Sequence, residues 1–253
     1  MIIDQFTRTK LILGEEGLCK LKNATVAVFG LGGVGSYTAE ALARAGVGKL
    51  ILVDGDTVCV TNINRQLPAL HSTIGLAKVK VVAERIRDIN PQVEVVERYE
   101  WFSDSNVETF FTEKLDCIVD AIDSVKAKTL LIETSVLKGI KIFSSMGTGN
   151  KLDCTKLVIS DISKTHTCPL AKVMRKALSE KGIKNLTVVF SAEPSEMTQL
   201  AEFEDCAVKE KCTNWSPDVC LKKKRPPASV SFVPSVAGLM LAQLVVQEVC
   251  NSV

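Results

Sequence analysis

The chain is 253 residues long, 46% hydrophobic and 5% aromatic, and its 31 Lys and Arg against 29 Asp and Glu leave a net charge of +2. Such a chain can bury a sizeable core and reads as one α/β domain, while the near-balanced charge excludes a broad basic surface, so a nucleic acid would be met only by a local patch. Nine scattered cysteines with no C-x-x-C pair argue against a disulfide framework or a zinc site, and residues 1–8 lack the layout of a signal or transit peptide, which points to a reduced, cytoplasmic protein.

Residues 1–25 are expected to form a helical arm, with Arg8 as a surface arginine and a short helix over 15–22. An apolar strand over 26–29 then runs into Gly30-Leu31-Gly32-Gly33-Val34-Gly35. A helix follows over 34–45, stopped by Gly46, and a second strand over 49–53 ends at Asp54. Gly30 permits a tight turn off the strand, Gly32 lets the backbone approach a phosphate, and Gly35 lets the helix pack against the sheet. The helix start offers unpaired N–H groups and its positive dipole end to an anion, so this unit is expected to hold a nucleotide.

Asp54 suits the ribose hydroxyls of NAD and of an adenylate equally and does not discriminate between them. The following residues do. Asp56, the polar run Thr61-Asn62-Ile63-Asn64-Arg65-Gln66 and Lys78 supply positive charge and amides in excess of what a dinucleotide needs. A triphosphate with its metal requires that complement. The plainer alternative is a solvated loop after a strand.

Beyond Arg65 the alternation continues, with an amphipathic helix over 76–90, a strand over 93–97, a helix around 107–114 and a strand over 116–121. The last of these leaves Asp120 and Asp123 at its C-terminal end, the edge where ligands bind in open parallel sheets. Asp123 is assigned to metal or phosphate work, because Ser124 is available to cap the helix over 125–138. A strand over 141–145 leads into Met146-Gly147-Thr148-Gly149-Asn150, followed by a strand over 157–162, a helix over 169–181 and a strand over 186–190. A long polar loop over 191–228 contains Cys206, Cys212 and Cys220 and ends in the basic run Lys222 to Arg225. The apolar segment 230–250 is broken by Pro234, Gln243, Gln247 and Glu248, so it is read as a helix covering the sheet, with no membrane span.

The fold expected is a Rossmann-like, doubly wound α/β domain. Its mainly parallel sheet is flanked by helices, with an ATP-binding core over 26–155 and an irregular C-terminal part of the same domain over 156–253 that faces the substrate.

Five spaced motifs carry a family resemblance: Gly30-Leu31-Gly32-Gly33-Val34-Gly35-Ser36, Asp54-x-Asp56, Asn62-x-Asn64-Arg65-Gln66, Gly75-x-x-Lys78 and Asp120-Ala121-Ile122-Asp123-Ser124. Together they resemble the ubiquitin-activating-enzyme-like adenylating superfamily, which includes the adenylyltransferases of thiamine and molybdopterin biosynthesis. Within it the chain is most similar to the branch that dehydrates N6-threonylcarbamoyladenosine at position 37 of tRNA. The resemblance implies that ATP activates a carboxylate on the modified tRNA, which then closes into a ring with loss of water. It implies adenosine and phosphate contacts from the glycine loop and Asp54, and phosphate contacts from Asn62, Arg65 and Lys78. Asp123 would bind Mg²⁺, and a monovalent alkali cation would sit near Gly147. Arg8 becomes an arginine finger reaching into a partner subunit, hence a homodimer, and a cysteine desulfurase system is a further implied partner. The alternatives are an adenylyltransferase for a small ubiquitin-like sulfur carrier, against which the missing C-x-x-C pairs count, an NAD-dependent oxidoreductase and a non-catalytic nucleotide-binding module.

Overall fold

The computed structural model describes residues 3–195, 209–211 and 227–251. Its elements are α1 (Thr7–Asn23), β1 (Thr25–Phe29), α2 (Gly35–Ala45), β2 (Lys49–Val53), α3 (Lys78–Ile89), β3 (Glu94–Arg98), β4 (Cys117–Asp120), α4 (Val125–Leu137), β5 (Lys141–Ser145), β6 (Leu157–Asp161), α5 (Pro169–Glu180), β7 (Thr187–Ser191) and α6 (Phe232–Asn251). The seven strands form one sheet in the order β3-β2-β1-β4-β5-β7-β6, parallel throughout except for β6 against β7. The chain winds outward from β1 to β3, then returns to place β4 on the other side of β1. The crevice between the C-terminal ends of β1 and β4 is therefore the topological switch point, where open sheets of this kind bind ligands.

Alternation along β1 explains the layering. Val26 and Val28 point into one core with Leu42, Val82, Ile86, Leu241 and Val245, beneath α2, α3 and α6. Ala27 and Phe29 point into the other, with Leu131, Ile132, Met174 and Leu178 of α4 and α5. With both faces covered, the central strands read as continuous apolar runs. Helix α6 is long and apolar enough to cross a membrane by length and composition, yet eight of its residues are buried in this domain. It packs closely on α2 at Gly238, where an added Cβ would lie 2.3 Å from the Val34 carbonyl oxygen, and Thr38 Oγ1 donates to the Gly238 carbonyl at 3.0 Å.

The structure departs from the sequence reading at several places. The arm is one longer helix, α1, broken at Gly14, where φ is +73°. The helix expected around 107–114 is only a 3-10 turn, Val107–Phe110, because Phe102 and Phe110 are drawn inward against Phe29 with ring centroids 5.2 to 5.4 Å apart. The expected loop 191–228, with Lys222 to Arg225, Cys206, Cys212 and Cys220, lies mostly outside the described residues.

A buried ion pair fixes the end of β4. Lys128 Nζ donates to Asp120 Oδ2 at 2.7 Å, both side chains being fully buried, and Ser144 Oγ donates to the same oxygen at 2.6 Å. Removing one partner of such a pair strands the other charge. Lys128→Ala is expected to destabilise the domain by about 3 to 5 kcal/mol in urea unfolding; a loss below about 1 kcal/mol would show that the pair does not hold this edge.

Candidate active site

The switch-point crevice is a cavity of about 1330 Å³, larger than the usual small-molecule pocket, with room for a nucleotide and part of a second substrate. Its lining brings together Gly30, Gly32, Gly33, Asp54, Asp56, Asn62, Asn64, Arg65, Gln66, Lys78, Asp123 and Ser124. Of the residues singled out in the sequence, Gly35 lies beneath it and Arg8 lies elsewhere.

The glycines divide into structural and open positions. Gly30 has φ +87°, and an added Cβ would lie 2.7 Å from the Ala121 carbonyl oxygen; at Gly35 it would lie 1.8 Å from the Gly30 carbonyl oxygen. These two let β1, β4 and the start of α2 meet. At Gly32 an added Cβ would meet only the Gln66 amide, at 3.7 Å, so the floor beside the first turn of α2 is open. Gln66 itself is buried, and its Oε1 has no hydrogen-bond partner among the described residues.

Asp54 ties this floor to the end of β2. Its Oδ2 accepts the Leu31 N–H at 2.6 Å and its Oδ1 accepts the Asp56 N–H at 2.7 Å. Burial pushes the Asp54 carboxyl above its ordinary pKa, against the opposing pull of Lys78 and these two N–H groups. Asp56 extends the chain of contacts: its carbonyl accepts the Lys78 N–H at 3.0 Å, and its Oδ2 pairs with Lys78 Nζ at 2.8 Å. Lys78 is thus buried at the start of α3 and held by a partner that is itself 43% exposed to the cavity side, a partner an incoming ligand can compete with.

Arg65 is the least satisfied cation of the site. Its Nη1 donates to the Thr61 carbonyl at 2.9 Å and to Asn64 Oδ1 at 2.8 Å, but among the described residues no carboxylate faces it. Burial holds its pKa below the usual guanidinium value. Asn62 accepts the Cys59 N–H on Oδ1 at 3.0 Å, which shapes the loop, and Asn64 Nδ2 donates to the Ser229 carbonyl at 2.8 Å. Both amides therefore brace the loop that presents Arg65, a role the sequence reading did not assign.

On the opposite wall Asp123 is exposed and makes no hydrogen bond or ion pair among the described residues, and Ser124 stands at the start of α4 without a side-chain cap bond. The turn carrying Asp123 is fixed from below: Asp120 Oδ1 accepts the Ile122 N–H at 3.1 Å, and Lys128 Nζ donates to the Ile122 carbonyl at 3.0 Å. Sequence reasoning missed Lys128, a charge on the inward face of α4 beside the buried Thr129, Leu131 and Ile132. It also missed Trp101, which lines the cavity while 64% exposed and lies so close to Gly55 that a Cβ there would be 2.7 Å from the ring. Cys59 and Cys168 border the cavity as well. Among the described residues no three His, Cys, Asp or Glu side chains gather as a metal site, so a cation here would draw most of its ligands from a bound substrate.

Arg8 is exposed on α1 and borders a second cavity of about 1050 Å³, with Ile12, Tyr37, Glu40, Leu70 and Leu239. Gln66 lines both cavities, so the two are adjacent.

The model of the ThiF family matches residues 5–252. Over 253 residues the chain is 46% identical to the tRNA threonylcarbamoyladenosine dehydratase of Bacillus subtilis, covering all of this chain and 97% of that protein. Over 197 residues it is 40% identical to the Escherichia coli enzyme of the same name, covering 75% of this chain and 74% of that one. The crystal structure of the E. coli tRNA N6-threonylcarbamoyladenosine dehydratase in complex with ATP superposes with a TM-score of 0.82 at 31% identity, covering 98% of this chain and 97% of that one.

The two kinds of glycine are separable by substitution. Gly35→Ala is expected to abolish cooperative unfolding or to lower the melting temperature severely, since its Cβ meets backbone. Gly32→Val is expected to fold with a near-unchanged melting temperature while weakening ATP binding at least about tenfold. Equal ATP affinity for Gly32→Val and the wild type in calorimetric titration would show that the floor does not carry the nucleotide.

Proposed function

The chain belongs to the ThiF family, and from that footing we propose that it is an ATP-dependent dehydratase of N6-threonylcarbamoyladenosine at position 37 of tRNA, converting the open carboxylate form to the cyclic one. One observation carries the reading to this chain's own residues: a half-buried Arg65, with no carboxylate partner among the described residues, lines one cavity with Lys78 and the open glycine floor at the switch point. That arrangement fits a polyphosphate.

A carboxylate is a poor electrophile, and joining it to a phosphate supplies a leaving group. In the proposed sequence the substrate carboxylate oxygen attacks the α-phosphorus of ATP and pyrophosphate departs. A nitrogen of the same substrate group then attacks the activated carbonyl and AMP departs, so the balance is one ATP split to AMP and pyrophosphate for each water lost. Arg65 and Lys78 offset the charge that develops on the phosphate oxygens. Asp56 releases Lys78 toward the nucleotide, Asp54 meets the ribose, and the first-turn N–H groups of α2 face the phosphates. Asp123 would hold Mg²⁺, which would supply Lewis-acid charge when bound. The ring closure is intramolecular, so proximity within the substrate replaces a protein nucleophile. A monovalent cation would sit near Gly147, in the turn after β5.

Arg8 is assigned to the site of a second copy of the chain. The exposed apolar residues Ile12, Leu70 and Leu239 border its cavity, and this face adjoins the nucleotide cavity through Gln66. In this reading residues 1–25 are the arm of the dimer, 26–155 the ATP-binding core and 156–253 the substrate-facing part of the same domain.

Incubation of tRNA bearing threonylcarbamoyladenosine with the protein, ATP and Mg²⁺ is expected to remove the mass of one water from that nucleoside and to release AMP and pyrophosphate. Pyrophosphate exchange that depends instead on a Gly-Gly-tailed carrier would favour the adenylyltransferase alternative. Arg65→Ala and Asp123→Ala are expected to lower kcat at least about 100-fold with the fold intact; near-normal rates would remove those roles. Arg8→Ala is expected to be similarly impaired, and mixing it with Asp123→Ala should restore part of the activity, because a mixed dimer holds one complete site. An absence of complementation after subunit exchange would place Arg8 outside catalysis in trans.

A further inference from the structure

Residues 164–184, which include α5, carry six Lys or Arg and one acidic residue, Glu180, in a chain whose net charge is only +2. The remainder of the chain is therefore net acidic, although it also holds the basic run Lys222 to Arg225. Two of the six cations are already occupied: Arg175 donates to the Thr165 carbonyl at 2.7 Å, and Lys181 pairs with Glu133 at 2.6 Å. Lys164, Lys172, Lys176 and Lys184 are exposed and make no ion pair among the described residues. Helix α5 buries Ala171, Met174 and Leu178, which leaves Lys172 and Lys176, one turn apart, together on the opposite face. The N-terminal end of the same helix forms part of the cavity wall through Cys168, Pro169 and Leu170. A solvated lysine face needs no special position, but this one begins at the mouth of the nucleotide cavity and runs outward from it.

We infer that the exposed lysine face of α5, together with Lys164 and Lys184, whose segments meet where the Ile162 N–H donates to the Leu186 carbonyl at 2.8 Å, is the track on which the phosphate backbone of the tRNA lies while the modified nucleoside enters the cavity. The inference rests on the proposed reaction at that cavity and adds where the macromolecular substrate is held. The chemistry is sequence-independent: lysines meet phosphates as point charges, position the RNA and release counterions, while selection of the nucleoside is left to the cavity. A polyanion leading into a crevice fits a basic strip that starts at its rim.

The test uses the full chain and measures binding of tRNA and of ATP separately from turnover. The double variant Lys172→Gln/Lys176→Gln changes only exposed side chains. It should bind tRNA about tenfold more weakly, with the slope of log Kd against log salt reduced by about 1.5, because two phosphate contacts are lost. Its ATP affinity and melting temperature should match the wild type, and its KM for modified tRNA should rise with kcat unchanged. Lys114→Gln, an exposed lysine just before the central strand β4 and outside the basic face, should leave all of these unaltered. Wild-type affinity and salt slope in the double variant overturn the inference while leaving the proposed reaction standing. A wild-type protein that binds no tRNA overturns both. If the double variant loses binding of polyglutamate but keeps tRNA, the face belongs to an acidic protein and the inference also fails.

Discussion

The site depends on one buried carboxylate. Asp54 holds the Leu31 N–H on one oxygen and the Asp56 N–H on the other, at 2.6 and 2.7 Å, so the glycine loop after β1 and the turn after β2 are fixed to each other. Asp56 is then aimed at Lys78, and Lys78 opens α3 inside the cavity rather than outside it. Burial raises the Asp54 carboxyl above its ordinary pKa, and what keeps an anion workable there is this pair of N–H donors and the nearby ammonium of Lys78. A ligand that brings its own negative charge near Lys78 meets a cation whose present partner is half-exposed and replaceable.

A second buried charge does for β4 what Asp54 does for β1 and β2. Asp120 and Lys128 close on each other without solvent, and each also holds one backbone group of Ile122. The turn bearing Asp123 is thereby stiffened from below, while Asp123 itself is exposed and makes no hydrogen bond or ion pair among the described residues. Both walls of the crevice follow the same pattern, a buried polar group holding the backbone and an exposed one left for the ligand. Such division gives a catalytic side chain a fixed base without consuming its own hydrogen bonds.

Much of the fold was legible because its central strands are buried on both faces and so appear as unbroken apolar runs, with Gly or Asp at their ends. β1, β2 and β4 were found close to their actual bounds for that reason, and Gly46 marked the end of α2. What failed were places where packing at a distance overrode local pattern. Phe110 is pulled into an aromatic cluster with Phe29 and Phe102, so its segment makes one 3-10 turn instead of a helix. The position of β6 at the edge, antiparallel to β7, has no local signature. In the site, residue types and spacing pointed to Gly32, Arg65, Lys78 and Asp123, all of which line one cavity. Their pairing was not legible. Nothing in the spacing says that Asp56 holds Lys78, that Asn62 and Asn64 brace the Arg65 loop, or that Lys128 anchors the turn beside Asp123.

The central claim is that Arg65 and Lys78 receive a triphosphate above the Gly32 floor. The most direct test is a crystal structure of this protein with a non-hydrolysable ATP analogue. The account requires the phosphates over Gly32 and Gly33, within hydrogen-bond distance of Arg65 and Lys78, with the Lys78–Asp56 pair loosened. A nucleotide whose phosphates lie away from both cations, with that pair intact, would contradict it.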